Sequence, residues 1–220
     1  MHLKREASPK NWPIERKGTA LLVRPRYSIE KGVPILIIIR DMLKLAQNRR
    51  EAKKALNAKQ VLLNNRIVFD DRENALLFDV ITIIPAKGSN FPEKYYQIGI
   101  GKSKKFILNE INSKESIYKI AKIINKKSLK GNKTQLNLSD GRNFISNMKC
   151  KVNDSLLLNL KDKKIEECIT LQKEAKAIVF AGKHMGEMGI IKEIHGNDSV
   201  QLERNGEIIN ILIKQLMVLK

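Results

Sequence analysis

The amino-acid sequence predicts an α+β protein built from several small domains: a basic extended N-terminal arm, a helix-and-hairpin segment, a central small β barrel or sandwich, and a C-terminal β barrel. Three observations predict this. Apolar residues recur at helical spacing only between about residues 34 and 59. Beyond residue 60, short apolar runs alternate with Gly, Asn, Asp and Lys, as in small strands joined by turns. Hydrophobic residues make up 42% of the 220, enough for packed cores despite a net charge of +19.

The first 33 residues are punctuated by Pro9, Pro13, Gly18, Pro25 and Gly32, with basic residues between them. They contain little to bury, so this arm is expected to lack order in the isolated protein and to settle on phosphates through His2, Lys4, Arg5, Arg16 and Lys17. Trp12 has two possible roles, stacking on a base or anchoring the arm to the body.

A helix is predicted from Pro34 to about Ala46, with Pro34 at its first position and Ile35, Ile38, Ile39, Met42 and Leu43 on one face. A second is predicted from about Arg50 to Lys59, capped by Asn48 and burying Ala52, Ala55 and Leu56. Arg40, Lys44, Arg49, Arg50, Lys53 and Lys54 then form a basic strip on the opposite side. Val61–Leu63 and Ile67–Phe69 read as a hairpin closed by Asn64-Asn65, a turn that needs positive φ at both positions. Arg66 follows that turn. Phe78–Ile84 reads as another strand, ended by Pro85.

From about residue 86 to 170 the runs YYQIGI, KKFILN, SIYKIAKII, TQLNLS, NFIS and SLLLNL are short and strand-like. Asp140-Gly141 marks a turn. Lys102, Lys104, Lys105, Lys126 and Lys127 are the candidate phosphate contacts of this stretch. KAIVFAG, MGIIKEI, SVQLER and IINILI complete the chain as strands of a compact barrel. The domain boundaries implied are 1–33, 34–85, 86–172 and 173–220.

Charge narrows the partners. The pI is near 9.9. Residues 1–26 carry a net +5, residues 40–66 a net +6 and residues 101–133 a net +8, whereas residues 134–220 carry only +2. Concentrated positive charge of this kind calls for a polyanion. The longest apolar run, Val33–Ile39, is too short for a bilayer, which needs about 20 residues. The opening residues have no apolar stretch of the secretory kind, and two cysteines make no disulfide framework. No membrane partner is expected.

Two motifs carry resemblances. Asn48–Phe69 resembles the alpha-L RNA-binding motif through Arg49, Glu51, Ala52, Leu56, Val61, Asn64 and Asn65. Ala181–Ile194 resembles a KOW motif through Gly182, Lys183, His184, Gly186, Gly189 and Ile191, which implies an SH3-like barrel with Lys183 and His184 in an RNA-facing loop. The opening His2–Gly18, with Leu3, Lys4, Arg5, Ala7, Pro9, Trp12, Arg16 and Lys17, adds a third resemblance. In the order arm, alpha-L motif, β-rich middle and KOW, the whole chain resembles the archaeal and eukaryotic family of the fourth small-subunit ribosomal protein. The chain departs from that family at Pro25–Gly32 and at Asp70-Asp71.

The resemblance implies a structural constituent of the small ribosomal subunit. It would bind small-subunit rRNA beside neighbouring ribosomal proteins, in the cytoplasm, with no cofactor and no small-molecule substrate. Chemistry is expected to be absent. Gly99-Ile100-Gly101-Lys102 lacks the spacing of a phosphate-binding loop, and Cys150, Cys168, His184 and His195 lack zinc-ligand spacing. The alternatives are an RNA-modifying enzyme of the pseudouridine synthase type, with Asp140 or Asp154 as its only acid candidates, and a KOW-bearing transcription factor.

Overall fold

A computed structural model describes residues 2–86, 92–131, 133–196, 198–204 and 206–220. The chain is mostly β, with more strand and less helix than the α+β expectation, and it divides into two units, residues 1–117 and 118–220.

In the first unit the arm is built in rather than loose, which corrects the expectation of a disordered leader. Strand β1 (Leu3–Lys4) pairs antiparallel with β2 (Leu21–Leu22), closing residues 5–20 into a loop. Trp12 is 1% exposed, and its indole Nε1 donates to the Gly32 carbonyl at 2.9 Å. Of its two possible roles the anchor is the one realised, and its ring face is not available to a base. Gly32 belongs to β3 (Gly32–Pro34), which pairs with β6 (Asn74–Leu76). A Cβ at Gly32 would stand 2.5 Å from the Ala75 carbonyl oxygen, so only glycine allows this approach.

The helix after β3 is shorter than predicted. Pro34 caps it from outside, α1 covers Ile35–Ile37, and a π turn carries the chain from Ile38 to Met42. The Leu43 amide donates to the Ile38 carbonyl, and Lys44 then adopts φ +53, which ends the helix before Ala46. All five residues Ile35–Ile39 are buried, so this segment is surrounded by core on every side. Helix α2 (Arg49–Asn57) begins as predicted: Asn48 Oδ1 accepts from the Glu51 amide at 3.0 Å, and the Glu51 carboxylate accepts from the Gln47 amide at 2.8 Å. Such reciprocal capping contributes about 1 kcal/mol. Ala52 and Leu56 are buried, and Ala55 is only half-buried.

Strands β4 (Val61–Leu63) and β5 (Arg66–Ile67) form the predicted hairpin, with Asn64 at φ +51 and Asn65 at φ +61. Phe78 also has positive φ, so β7 spans only Val80–Ile83. The larger difference comes next. Strands β8 (Lys94–Ile100) and β9 (Phe106–Ile111) do not join the strands that follow them. They extend the first sheet, whose order is β5-β4-β7-β8-β9.

The second unit holds two five-stranded antiparallel sheets. One contains β10 (Tyr118–Ser128), β11 (Thr134–Leu138), β12 (Asn143–Ser146), β13 (Ser155–Asn159) and β14 (Lys164–Ile169), in the order β12-β11-β10-β13-β14. Its core includes Ala121, Ile123, Leu136, Leu156 and Leu158. The other contains β15 (Lys176–Val179), β16 (Met188–His195), β17 (Ser199–Arg204), β18 (Glu207–Leu212) and β19 (Leu216–Val218), in the order β18-β17-β16-β15-β19. It surrounds Val179, Ile191, Val200, Leu202 and Leu216. The Val218 amide donates to Ser155 Oγ at 3.1 Å, linking the two sheets.

Lys122 strengthens that link. Its buried ammonium donates to the Ile213 and Leu216 carbonyls and lies 5.7 Å from the centroid of the Phe180 ring. Burial nevertheless pushes its pKa down to about 8. Below that pH both folded and unfolded chains hold the proton, and the fold bears the cost of an ammonium out of water. Between about 8 and 10.5 only the folded chain sheds it, so this residue makes stability rise with pH across that window. Urea midpoints measured at several pH values should therefore rise more steeply for the native chain than for Lys122→Met, and parallel curves would refute this.

Candidate nucleic-acid interface

The predicted basic residues fall into three groups, and the chain's own carboxylates decide which of them remain available. The first group lies on the arm. Lys4, Arg16 and Lys17 are exposed, and no ion pair occupies them among the described residues. Arg5 is different: its guanidinium donates to the Thr19 carbonyl at 2.8 Å, to Thr19 Oγ1 at 3.3 Å and to the Glu15 carbonyl. It braces the loop instead of facing outward. Gly18, at φ +138, gives it room, because a Cβ there would stand 2.8 Å from Nη2 of Arg5. His2 is exposed beside β1.

The turn between β8 and β9 joins this group. Gly101–Lys105 is closed by bonds between the Gly101 amide and the Lys105 carbonyl and between the Lys104 amide and the Gly101 carbonyl. The Phe106 amide donates to the Asn11 carbonyl at 2.9 Å, tying this hairpin to the arm. Lys105 therefore lines a concavity of about 1170 Å³ together with Lys4, Lys10, Arg16 and Lys17. Lys102 and Lys104 are exposed on the same turn. Lys10 lies outside the contacts the sequence predicts; its one signal is the recurrence of basic residues along the arm at 4–5, 10 and 16–17.

The second group is the strip on α2. Arg50, Lys53 and Lys54 are exposed and unpaired among the described residues, as is Lys44 before the helix. Arg49 makes a two-pronged contact with Asp71, which is 2% exposed, at 2.5 and 3.2 Å. The bond to Asp71 raises the arginine's pKa above its usual value. Arg40 is held by Asp41 at 2.8 Å with the same effect, and Arg66 by Glu73 at 2.6 Å. These three arginines orient or neutralise local carboxylates, so the outward charge of the strip is smaller than a residue count implies.

The third group, in the second unit, is not one surface. Lys126 and Lys127 are neighbours on β10, so their side chains leave opposite faces of the sheet. Lys126 also donates to the Cys150 carbonyl at 2.9 Å. Lys119 and Lys122, counted in the same basic block, are buried and turned inward, Lys119 onto Asp140 at 2.6 Å and Lys122 onto the Ile213 and Leu216 carbonyls. In the loop Gly182–Gly186, Lys183 is exposed, whereas His184 Nδ1 lies 3.2 Å from Glu187, which also holds Arg204 at 3.1 Å.

No trio of His, Cys, Asp or Glu among the described residues is arranged to hold a metal. Cys150 and Cys168 are both free, and burial, aided by Cys150 and Asp154, pushes Cys168 up to about 12. A thiol so rarely ionised is a poor nucleophile. Asp140 and Asp154, the acid candidates, serve structure: Asp140 pairs with Lys119 at 2.6 Å, and Asp154 accepts from the amides of Lys151 and Leu171 at 2.7 and 2.9 Å.

Comparison with known proteins finds relatives among the proteins of the small ribosomal subunit. The family described as "Ribosomal family S4e" matches residues 92–165. The small ribosomal subunit protein eS4 of Methanocella arvoryzae is 39% identical over 196 residues, spanning 88% of this chain and 80% of the relative. That of Methanothermobacter thermautotrophicus is 36% identical over 88% of this chain and 79% of its own length, and that of Nanoarchaeum equitans 36% over 94% and 90%. Among solved structures, the 30S ribosomal protein S4e from Thermoplasma acidophilum superposes with a TM-score of 0.72 at 29% identity, covering 86% of this chain and 95% of that one.

Proposed function

The chain belongs to the ribosomal S4e family, and from that premise we propose that it grips small-subunit rRNA through its arm, its α2 strip and the Lys183 loop. It is a structural constituent of the small ribosomal subunit in the cytoplasm and not an enzyme; the RNA-modifying alternative has no support in its relatives. Residues 34–85 act as an alpha-L module, to which β8 and β9 add two strands, and residues 173–220 act as a KOW barrel of SH3-like form. The sheet of β10–β14 is the central β domain, which reaches back to only part of the 86–172 stretch, and residues 2–33 form a braced arm.

One observation supports this reading above the others. Thirteen cations with no carboxylate partner among the described residues are all exposed, so no acid of the chain already neutralises them. His2, Lys4, Arg16, Lys17, Lys44, Arg50, Lys53, Lys54, Lys102, Lys104, Lys105, Lys127 and Lys183 are the proposed phosphate contacts. Arg5, Trp12, Arg40, Arg49, Arg66, Lys126 and His184 are positioning residues on this reading. Guanidinium and ammonium groups held this way contact phosphate without first surrendering an internal partner.

The test is crosslinking of the purified chain to small-subunit rRNA with residue-level readout. Crosslinks are expected on α2, on the arm and near Lys183. Equal affinity for an unrelated structured RNA of the same length, with crosslinks scattered over both units, would overturn the proposal.

A further inference from the structure

We propose that the cup between the N-terminal arm and the β8–β9 turn receives an unpaired stretch of RNA, bases inward and phosphates on the rim. This rests on the rRNA-binding reading above and adds the kind of RNA that one of its surfaces selects.

The rim is basic and comes from two distant parts of the chain. Lys4, Lys10, Arg16 and Lys17 line it from the arm, and Lys105 from the turn. None of the five is in an ion pair among the described residues, and only Glu6 and Glu15 oppose them. The apolar lining comes from Pro9, Ile14 and Leu21, with the buried Trp12 behind them. Leu21 is 53% exposed although it lies in a strand, whereas its neighbour Leu22 is buried. A large apolar side chain left open beneath five cations has no use in contacting a duplex. An A-form duplex presents phosphates, 2′-hydroxyls and base edges, with its base faces stacked away from a leucine. An unpaired base covers a leucine, because its face is apolar and its phosphate lies on the opposite side.

Shape supports the same choice. A concave volume of about 1170 Å³ is larger than one base and comparable with the upper range of small-ligand sites, roughly 1,000 Å³. It suits two or three nucleotides. The cup is also preformed. Arg5 bridges residues 5 and 19, β1 and β2 close the loop, and the Phe106–Asn11 bond fixes the turn against it. A preformed site saves the ordering cost that a loose arm would lose on binding.

The experiment uses the full chain and two RNA hairpins that differ only by an unpaired three-nucleotide bulge, with 2-aminopurine at its centre. The native chain is expected to favour the bulged hairpin roughly tenfold, in line with the stacking of a single base, and to change the 2-aminopurine emission. In Leu21→Glu, and independently in Lys10→Ala with Lys105→Ala, that preference should fall towards one and the emission change should vanish. Emission from Trp12, the one tryptophan, reports whether the arm remains docked in each variant. Equal binding of both hairpins by the native chain, or variants with Trp12 docked that keep the preference, would overturn the cup while leaving the rRNA reading intact. Failure of the native chain to bind either hairpin or small-subunit rRNA would remove both.

Discussion

Replacing Lys119 by methionine is expected to lower the unfolding free energy by about 3 kcal/mol, the lower end of the roughly 3–5 kcal/mol lost when one member of a buried ion pair is removed. The Lys119 and Asp140 side chains are 1% and 5% exposed, and Nζ lies 2.6 Å from Oδ2. Without the ammonium, the one cation left beside the buried carboxylate among the described residues is Arg142, 3.6 Å away and 38% exposed, whose backbone amide also donates to it at 3.0 Å. That residual partner is the reason for choosing the lower end. Replacing both residues with apolar ones of similar size should recover most of the loss, because no stranded charge remains. Urea unfolding of the two variants beside the native chain measures this. A loss below about 1 kcal/mol in Lys119→Met would show that water reaches the site.

Acid should act on the same pair. Burial pushes the Asp140 carboxyl up, but the Lys119 charge and hydrogen bond and the Arg142 amide together pull it below its ordinary 3.8. A carboxylate with a depressed folded pKa contributes stability above its unfolded value and loses it as pH falls through the folded one. The native chain should therefore lose this contribution below about pH 3.8. The double variant, having no such carboxylate, should show a shallower decline in the same range.

The second large effect concerns the partner. If about 6–10 phosphates are contacted, raising salt from about 50 to 200 mM should weaken binding to small-subunit rRNA by roughly 10³–10⁵. The mechanism is release of condensed counterions as lysine and arginine replace them. Arg50→Ala, Lys53→Ala and Lys54→Ala together should reduce the slope of log affinity against log salt by about one for each phosphate no longer neutralised. Arg49→Ala should act differently. It removes the partner of buried Asp71, so its main cost should be in stability rather than in the salt slope. Filter binding across a salt series, run beside urea unfolding, separates the two. An affinity that hardly changes with salt would mean that phosphate neutralisation is not the source of binding.

Local features were legible before any fold was known. The Asn48 cap with Glu51 three residues on, the Asn64-Asn65 turn and the Asp140-Gly141 turn are all found where the residue types require them. Each depends on backbone geometry within about four residues, so neighbouring side chains suffice to specify it. The early end of the first helix was not legible. Its apolar spacing continues to Leu43, but full burial of Ile35–Ile39 leaves no polar face to solvate a longer helix, and the π turn with Lys44 in the left-handed region ends it.

Taken alone, the sequence determined the cationic character of the chain, many of its strands and turns, and its family. Charge, hydrophobic period and turn chemistry are properties of short windows and need no partner from elsewhere in the chain. The tertiary structure decided which cations face outward. Nothing local shows that Lys119 and Lys122 are buried, that Lys126 and Lys127 leave opposite faces, or that Lys105 meets Lys10 across some ninety-five residues. It also decided that β8 and β9 complete the first sheet and that Trp12 is core. These outcomes follow from long-range edge pairing and from the removal of apolar surface from water. Both depend on which distant segments meet, and that is fixed only when the whole chain has folded.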